Sequence, residues 1–211
     1  MNEYKDKFIV SSHIPKTAGR AFLISLIKIF GEENVLRDYG KLQPEGDMIR
    51  KIEPHHKCVH GHFTPRKYRD TLHDAIFVTW IRHPVDRVLS AYYFWEREKS
   101  KREGHIEILD FIEGVPDSHN LQSRMLDGFK FDDFAFIGVA EYYESMHNKF
   151  CELIEVPKVE FVKFNYNPNK EIGKSYENIP HKVRKIIKRN NERDIKLWND
   201  VVEWNKKRGM L

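Results

Sequence analysis

Apolar positions along the chain follow two rhythms. Short unbroken runs recur at Phe8-Ile9-Val10, at Ala75-Ile76-Phe77-Val78-Thr79-Trp80-Ile81 and at Phe134-Ala135-Phe136-Ile137-Gly138-Val139. Such runs, rich in β-branched and aromatic residues, predict strands covered on both faces, as in a parallel sheet. Each is followed by apolar residues spaced three and four apart. Phe22, Leu23, Leu26, Ile27 and Phe30 follow the first, and Val88, Leu89, Tyr92, Tyr93 and Trp95 the second. Met146, Phe150, Leu153 and Ile154 follow the third. That spacing is helical. Strands alternating with helices predict an α/β fold of three layers, P-loop-like, with a mainly parallel central sheet flanked by helices.

The remaining elements are weaker. Residues 31 to 55 are polar, broken by Gly31, Gly40, Pro44, Gly46 and Pro54, and read as a loop-rich excursion with a short helix around Asp47 to Ile52. His55 to Phe63 predicts a short strand, and Arg66 to Leu72 one or two helical turns. The second long helix is expected over Asp86 to Glu98, followed by an exposed charged loop over 100 to 106. Further helices are expected over Ile106 to Glu113, His119 to Leu126 and Glu141 to Ile154, and a last strand over Val159 to Phe164. Asn165 to Asn178 reads as a loop, and the basic tail from Pro180 as helical.

Composition narrows the class. A length of 211 residues suits one core, so residues 1–211 are expected to form a single domain. The net charge of +4 suits an anionic ligand without pointing to nucleic acid. Cys58 and Cys151 make no disulfide framework and read as free thiols. No run approaches the ~20 apolar residues of a membrane span, and no signal peptide opens the chain, so a cytoplasmic location is expected. Oligomeric state is not readable.

The first apolar run leads through Ser11-Ser12-His13-Ile14 into Pro15-Lys16-Thr17-Ala18-Gly19-Arg20, and the helix follows at once. A loop ending at a helix N-terminus offers unpaired N–H groups and the positive end of the helix dipole, a ready anion site. Lys16 adds a mobile charge and Thr17 a hydroxyl. The same residues also fit a plain strand–helix turn with an exposed lysine. The loop is not a Walker A motif, which needs a glycine five residues before its Gly-Lys. Gly173-Lys174-Ser175 has that motif's tail, but Pro168 stands where its first glycine belongs.

A second group lies at the end of the central strand. Arg82 falls at its carboxyl edge, where open α/β sheets bind ligands. Arg87 and Ser90, three apart, share a helical face. Two arginines and a hydroxyl suit a second phosphate, though Arg82 and Arg87 also fit surface salt bridges with Asp86 or Glu96. A third group is Cys58, His60 and His62, which share one face of an extended segment. They fit a zinc site only tightly. They equally fit a general base for a hydroxyl, because histidine exchanges its proton near neutral pH, or partly buried structural histidines.

These residues carry a family resemblance. Pro15-Lys16-Thr17-Ala18-Gly19 resembles the loop that binds the 5′-phosphosulfate in sulfotransferases using 3′-phosphoadenosine 5′-phosphosulfate (PAPS). Arg82-x-Pro84-x-x-Arg87-x-x-Ser90-x-Tyr92 resembles their 3′-phosphate motif. Asn120-Leu121-Gln122-Ser123-Arg124-Met125-Leu126 looks like a segment of the carbohydrate branch, the heparan and chondroitin type. Phe136 to Glu141, Asn165 to Pro168, and Asn190, Asn191 and Asp194 extend the likeness toward the C-terminus. His60-Gly61-His62 resembles the segment of the 2-O-sulfotransferase branch that carries the catalytic histidine.

The resemblance implies sulfuryl transfer from PAPS to an acceptor hydroxyl, of a carbohydrate or polysaccharide, without a metal. It makes His62 the base, His60 its support and Lys16 the stabiliser of the leaving group. It gives Pro15, Lys16, Thr17, Ala18, Gly19, Arg20 and Ala21 to the 5′ end, and Arg82 and Ser90 to the 3′-phosphate. Arg20 and Ala21 depart from the family, which has small hydroxyl residues there; two side-chain donors are lost or replaced by Arg20's charge. That departure keeps open a non-catalytic module binding a nucleotide or a sulfated glycan. A nucleotide-dependent kinase is the other alternative, and it would need a metal-holding carboxylate pair beside the loop.

Overall fold

A computed structural model describes residues 3–40, 49–160 and 179–211 of the chain. Five strands pair in the order β2-β3-β1-β4-β5, every neighbour parallel. They are β1 Ile9–Ser12, β2 Val35–Asp38, β3 Cys58–Gly61, β4 Ile76–Ile81 and β5 Phe136–Val139. The α-helices are α1 Gly19–Phe30, α2 Arg66–Arg69, α3 Pro84–Phe94, α4 Ser100–Glu103, α5 Ile108–Gly114, α6 Leu121–Met125, α7 Tyr143–Leu153, α8 His181–Asn190 and α9 Glu192–Lys207.

The apolar runs form the inner strands because both faces need cover. Ile9 packs in the main core with Phe22 and Leu26 of α1 and with Trp80, Phe136 and Phe150. Val10, the next residue, faces the other way and joins Val59, Phe63 and Tyr68 of α2. A third cluster holds α3 against α5 and α8 through Val85, Val88, Leu89, Phe111, Ile112, Val183 and Ile187. The three-layer α/β architecture is the one the periodicity predicts. Among the described residues no helix is long and apolar enough to cross a membrane.

Several boundaries differ from the sequence reading. β2 lies within the stretch expected to be loop. It has four residues, VLRD, with only its first and last buried, so it shows too little periodicity to be seen. Asp38 ends β2 and accepts hydrogen bonds from the Tyr68 hydroxyl at 2.8 Å and Arg50 Nε at 3.3 Å, with Lys67 Nζ at 2.7 Å. Burial pushes its carboxyl up, but these partners outweigh that and hold it below its ordinary range. Gly61 is required here: a Cβ would lie 1.7 Å from the Asp38 carbonyl oxygen.

Residues 49–52, the described part of the helix expected around Asp47 to Ile52, are not helical. α3 starts two residues earlier than expected, with Pro84 in its first turn, where a missing N–H costs nothing. The chain then stays helical where a loop was expected, through a π-turn at Trp95–Lys99 and into α4. The tail is two helices, because Asn191 leaves the helical region at φ −128°. Of the strand expected over Val159 to Phe164, residues 159–160 carry no regular structure. Its remainder, the Asn165 to Asn178 loop with Asn165 to Pro168, and Gly173-Lys174-Ser175 lie outside the described residues.

Candidate active site

The strand order brings the three sequence groups to one edge. β1 lies between β3 and β4, so the chain leaves three adjacent strands at their carboxyl ends. Ser12 is level with Gly61 on one side and Thr79 on the other. The Thr79 hydroxyl donates to the Ser12 carbonyl at 2.8 Å, and the His13 amide to the Gly61 carbonyl at 2.7 Å. His62, the Lys16 loop and Arg82 therefore stand side by side where open α/β sheets take ligands.

The loop is held in an unusual shape. Lys16 and Ala18 both have φ of 72°, a left-handed region that costs a non-glycine residue roughly 1–2 kcal/mol. Thr17 is fully buried, and its hydroxyl and amide both bond the Ile14 carbonyl, at 2.7 and 3.3 Å. Its hydroxyl proton is thus engaged within the loop rather than offered outward. The first intrahelical bond of α1 runs from Phe22 N to the Ala18 carbonyl, which leaves the amides of Gly19, Arg20 and Ala21 without helical acceptors. No acidic residue occupies the first turn. Pro15 and Ala21 are half-buried and Arg20 is exposed.

Lys16 reaches from this loop over the ring of Phe94, 4.3 Å from its centroid. Burial pushes its ammonium down to about 8, and the charges of Arg97, Arg82 and Arg20 add to the effect while Glu98 opposes it. Arg82 Nη1 donates to the Lys16 carbonyl at 3.4 Å. Lys16 thus sits among three arginines at the carboxyl edge of the sheet, a concentration of positive charge.

The histidines divide into two kinds. His60 is wholly buried; its Nε2 lies 3.1 Å from the Gly19 carbonyl and its Nδ1 2.8 Å from the Ser11 hydroxyl. A carbonyl can only accept, so Nε2 carries the proton and Ser11 donates to Nδ1. Burial pushes His60 down to about 3, so it stays neutral and fastens α1 to β1 and β3. His62 is half-buried, and burial lowers its pKa while the Asp117 carboxylate opposes. Its ring packs on His13 at 4.5 Å and Tyr39 at 4.8 Å. His13 in turn stacks on His60 at 5.2 Å and has Nδ1 3.2 Å from the Tyr39 hydroxyl. Burial holds His13 well below its ordinary pKa. A Cβ on Gly19 would lie 1.9 Å from the His13 ring, so that glycine lets the ring lie against the helix start. Cys58 is buried in the core, and among the described residues no group of three His, Cys, Asp or Glu is placed to hold a metal.

The two arginines of the second group part company. Arg82 stays half-buried at the edge, with Ser90 half-buried in the second turn of α3. Arg87 turns inward, fully buried, and its Nη2 donates to the Asp117 carbonyl at 2.6 Å. Burial pushes it down to about 10, against the pull of the Asp194 and Asp117 carboxylates.

The backbone of Arg82 is clasped by the buried Gln122 side chain, which accepts from Arg82 N at 2.8 Å and donates to Arg82 O at 2.9 Å. Glu141 accepts from His83 N at 2.8 Å and from Trp198 Nε1 at 3.2 Å. Asp194 on α9 caps α6, accepting from the amides of Gln122 and Ser123 at 3.1 and 2.7 Å and from the Ser123 hydroxyl at 2.6 Å. Asn120 and Asn191 complete the joint: Asn120 N donates to Asn191 Oδ1 at 2.9 Å and Asp194 N to Asn120 Oδ1 at 3.1 Å. The segments around Asn120 and Asp194 thus hold each other and, through Gln122, Arg82. Asp194→Ala strands these buried donors, at a cost of about 2–4 kcal/mol, and should lower Tm by roughly 5–10 °C. An unchanged thermal midpoint would contradict this.

Sequence reasoning missed His13, Tyr39, Phe94, Arg97 and the grip of Gln122. His13 and Tyr39 each follow the end of a strand at the sheet's carboxyl edge, a signal usable once β2 is recognised.

A family model described as Sulfotransferase family matches residues 4–199. A search of curated proteins found no match. Among solved structures, the chain is similar to a sulfotransferase from Alicyclobacillus acidocaldarius at 15% identity and a TM-score of 0.52, covering 93% of this chain and 96% of that one. It is also similar to mouse sulfotransferase SULT7A1 complexed with PAP, at 12% identity and a TM-score of 0.55, covering 95% and 89%. At such identities the structures speak for the fold.

Proposed function

The chain belongs to the sulfotransferase family, and on that premise we propose that it moves a sulfuryl group from PAPS to an acceptor hydroxyl by in-line displacement. One observation carries the reading: Lys16, His62 and Arg82 stand at the carboxyl ends of adjacent strands, with three arginines bearing on the lysine. The loop fits an anionic donor. Its first-turn amides have no helical acceptors and its lysine is crowded by like charge. A similar structure is complexed with PAP, which supports PAPS as the donor here.

In this reading Lys16 and the first-turn amides of Gly19, Arg20 and Ala21 would hold the 5′ end, with Pro15, Thr17 and Ala18 shaping the loop. Arg82 and Ser90 would hold the 3′-phosphate. His62 takes the acceptor's proton as the new sulfur–oxygen bond forms. Lys16 meets the charge that builds on the bridging oxygen as the old bond breaks. Such a loose displacement asks the protein for positioning and charge neutralisation. His60 supports from below by fixing the start of α1 to β3. The likeness of Asn120 to Leu126 and of His60-Gly61-His62 to the carbohydrate branch supports a sugar hydroxyl as acceptor. A non-catalytic binding module is the second reading, favoured only by the loss of hydroxyls at Arg20 and Ala21.

Calorimetry tests the donor. Adenosine 3′,5′-bisphosphate should bind well ahead of ADP, and Arg82→Gln with Ser90→Ala should weaken it by about 10- to 100-fold and erase the preference. Equal affinity of the native protein for both nucleotides would sink the PAPS assignment. Transfer of labelled sulfate from PAPS to a panel of sugar and phenol hydroxyls then separates enzyme from binder.

A further inference from the structure

Phe94 closes α3, half-buried, at the point where the π-turn Trp95–Lys99 begins. The Lys16 ammonium lies over its ring at 4.3 Å, and the Arg97 guanidinium, carried round by the π-turn, lies 5.9 Å from the same centroid. Arg97 Nε also donates to Glu98 Oε1 at 2.7 Å. Among the described residues Lys16 Nζ makes no hydrogen bond or ion pair; the Phe94 ring lies against it, and the Glu98 carboxylate acts from farther off. π-turns within helices are frequent at functional sites.

We infer that Phe94 is the positioning residue of Lys16: its π face holds the ammonium at the carboxyl edge of the sheet, charged and not neutralised, until the anionic donor arrives. The inference rests on the sulfuryl-transfer role proposed for Lys16. A carboxylate in the same place would hold the lysine more tightly, but would cancel the charge the reaction needs. An aromatic face attracts a cation through its quadrupole and leaves the charge and all three N–H donors available. It also fixes the end of a side chain that otherwise samples many rotamers. Around Lys16, Arg97, Arg82 and Arg20 favour loss of its proton, as does nearby His13 when protonated, and Glu98 opposes. The ring acts with Glu98 to keep the ammonium form.

The test replaces the ring and keeps its bulk. In ligand-free protein, the ¹³Cε resonance of Lys16, assigned by its absence from Lys16→Met, should titrate at lower pH in Phe94→Leu than in the native chain, by up to about one unit. Phe94→Leu should also lower kcat/KM for PAPS about tenfold, and its alkaline limb should move to lower pH with the titration. Phe94→Tyr, which keeps the π face, should restore both; Phe94→Met serves as the second apolar variant if leucine impairs folding. Native-like titration in Phe94→Leu or Phe94→Met would overturn the inference, as would equal losses in the leucine and tyrosine variants. The titration needs no turnover, so a protein that failed to transfer sulfate would refute the sulfuryl-transfer reading while leaving the Lys16–Phe94 contact separately judged.

Discussion

Lys16→Ala is expected to lower kcat by about 10²- to 10³-fold, with a much smaller loss of affinity for adenosine 3′,5′-bisphosphate. The asymmetry follows from where the ammonium acts. Charge on the bridging oxygen is greatest as the sulfuryl group departs, so the lysine is worth more there than in the bound ground state. In the proposed site Arg82, Ser90 and the amides of α1 would remain to hold the nucleotide. Lys16→Arg should not rescue, because a planar fork cannot replace a point charge over the Phe94 ring.

The lysine also sets a pH limit. In the proposed role it acts as the ammonium, and burial among arginines has brought it down to about 8. In the free protein, the contribution of Lys16 is therefore full below that pH and lost as pH rises through it, the alkaline limb that kcat/KM reports. A bound polyanion favours the ammonium, so the limb in kcat should lie higher. A variant at native rate, or kcat/KM flat to pH 10, would remove Lys16 from the chemistry.

His62→Ala is the second large effect, an expected loss of about 10²- to 10⁴-fold in kcat with nucleotide binding unchanged. The residue must be neutral to accept a proton. Burial lowers its pKa and Asp117 only opposes that, so the neutral form persists below the ordinary histidine range. The acid limb of kcat/KM should accordingly fall below pH 6.5 and vanish in the variant. His60 cannot substitute: both its nitrogens are committed and its ring is sealed under α1. A native rate in His62→Ala, or an acid limb that survives it, would assign the base elsewhere. Thr17, whose hydroxyl already bonds Ile14, has no comparable claim to the chemistry.

Most of the frame was legible because parallel strands write themselves as unbroken apolar runs and their helices as 3.6-residue rhythm. The Lys16 loop could be placed because β1 is such a run and α1 such a rhythm. Arg82 could be placed for the same reason, at the end of β4. β2 could not, since an edge strand of four residues with two buried leaves no pattern. His13 and Tyr39 went unread because their meeting depends on β2 and β3 lying alongside β1, and on Gly19 having no side chain. The inward turn of Arg87 was equally hidden. Its helical face was readable, but the carbonyl of Asp117 that receives it is 30 residues away. The Asn120 and Asp194 segments were visible as family echoes, yet that they grip one another is a fact of three dimensions.

That grip bears on how the molecule comes into being. Gln122 fixes Arg82 across 40 residues, and Asp194 fixes Gln122 across a further 72. Contacts of such separation close late, after the loop entropy between them has been paid. The bonds of Thr17 to Ile14 and the turns of α1 are local, whereas His60 and Arg82 meet this loop across 41 and 66 residues. The clasp on Arg82 gains the support of Asp194 only when α9 has docked. On the ribosome, where synthesis runs from the N-terminus, both halves of the edge await residues made later: His60 and Arg82 for the lysine loop, Asp194 for the clasp on Arg82.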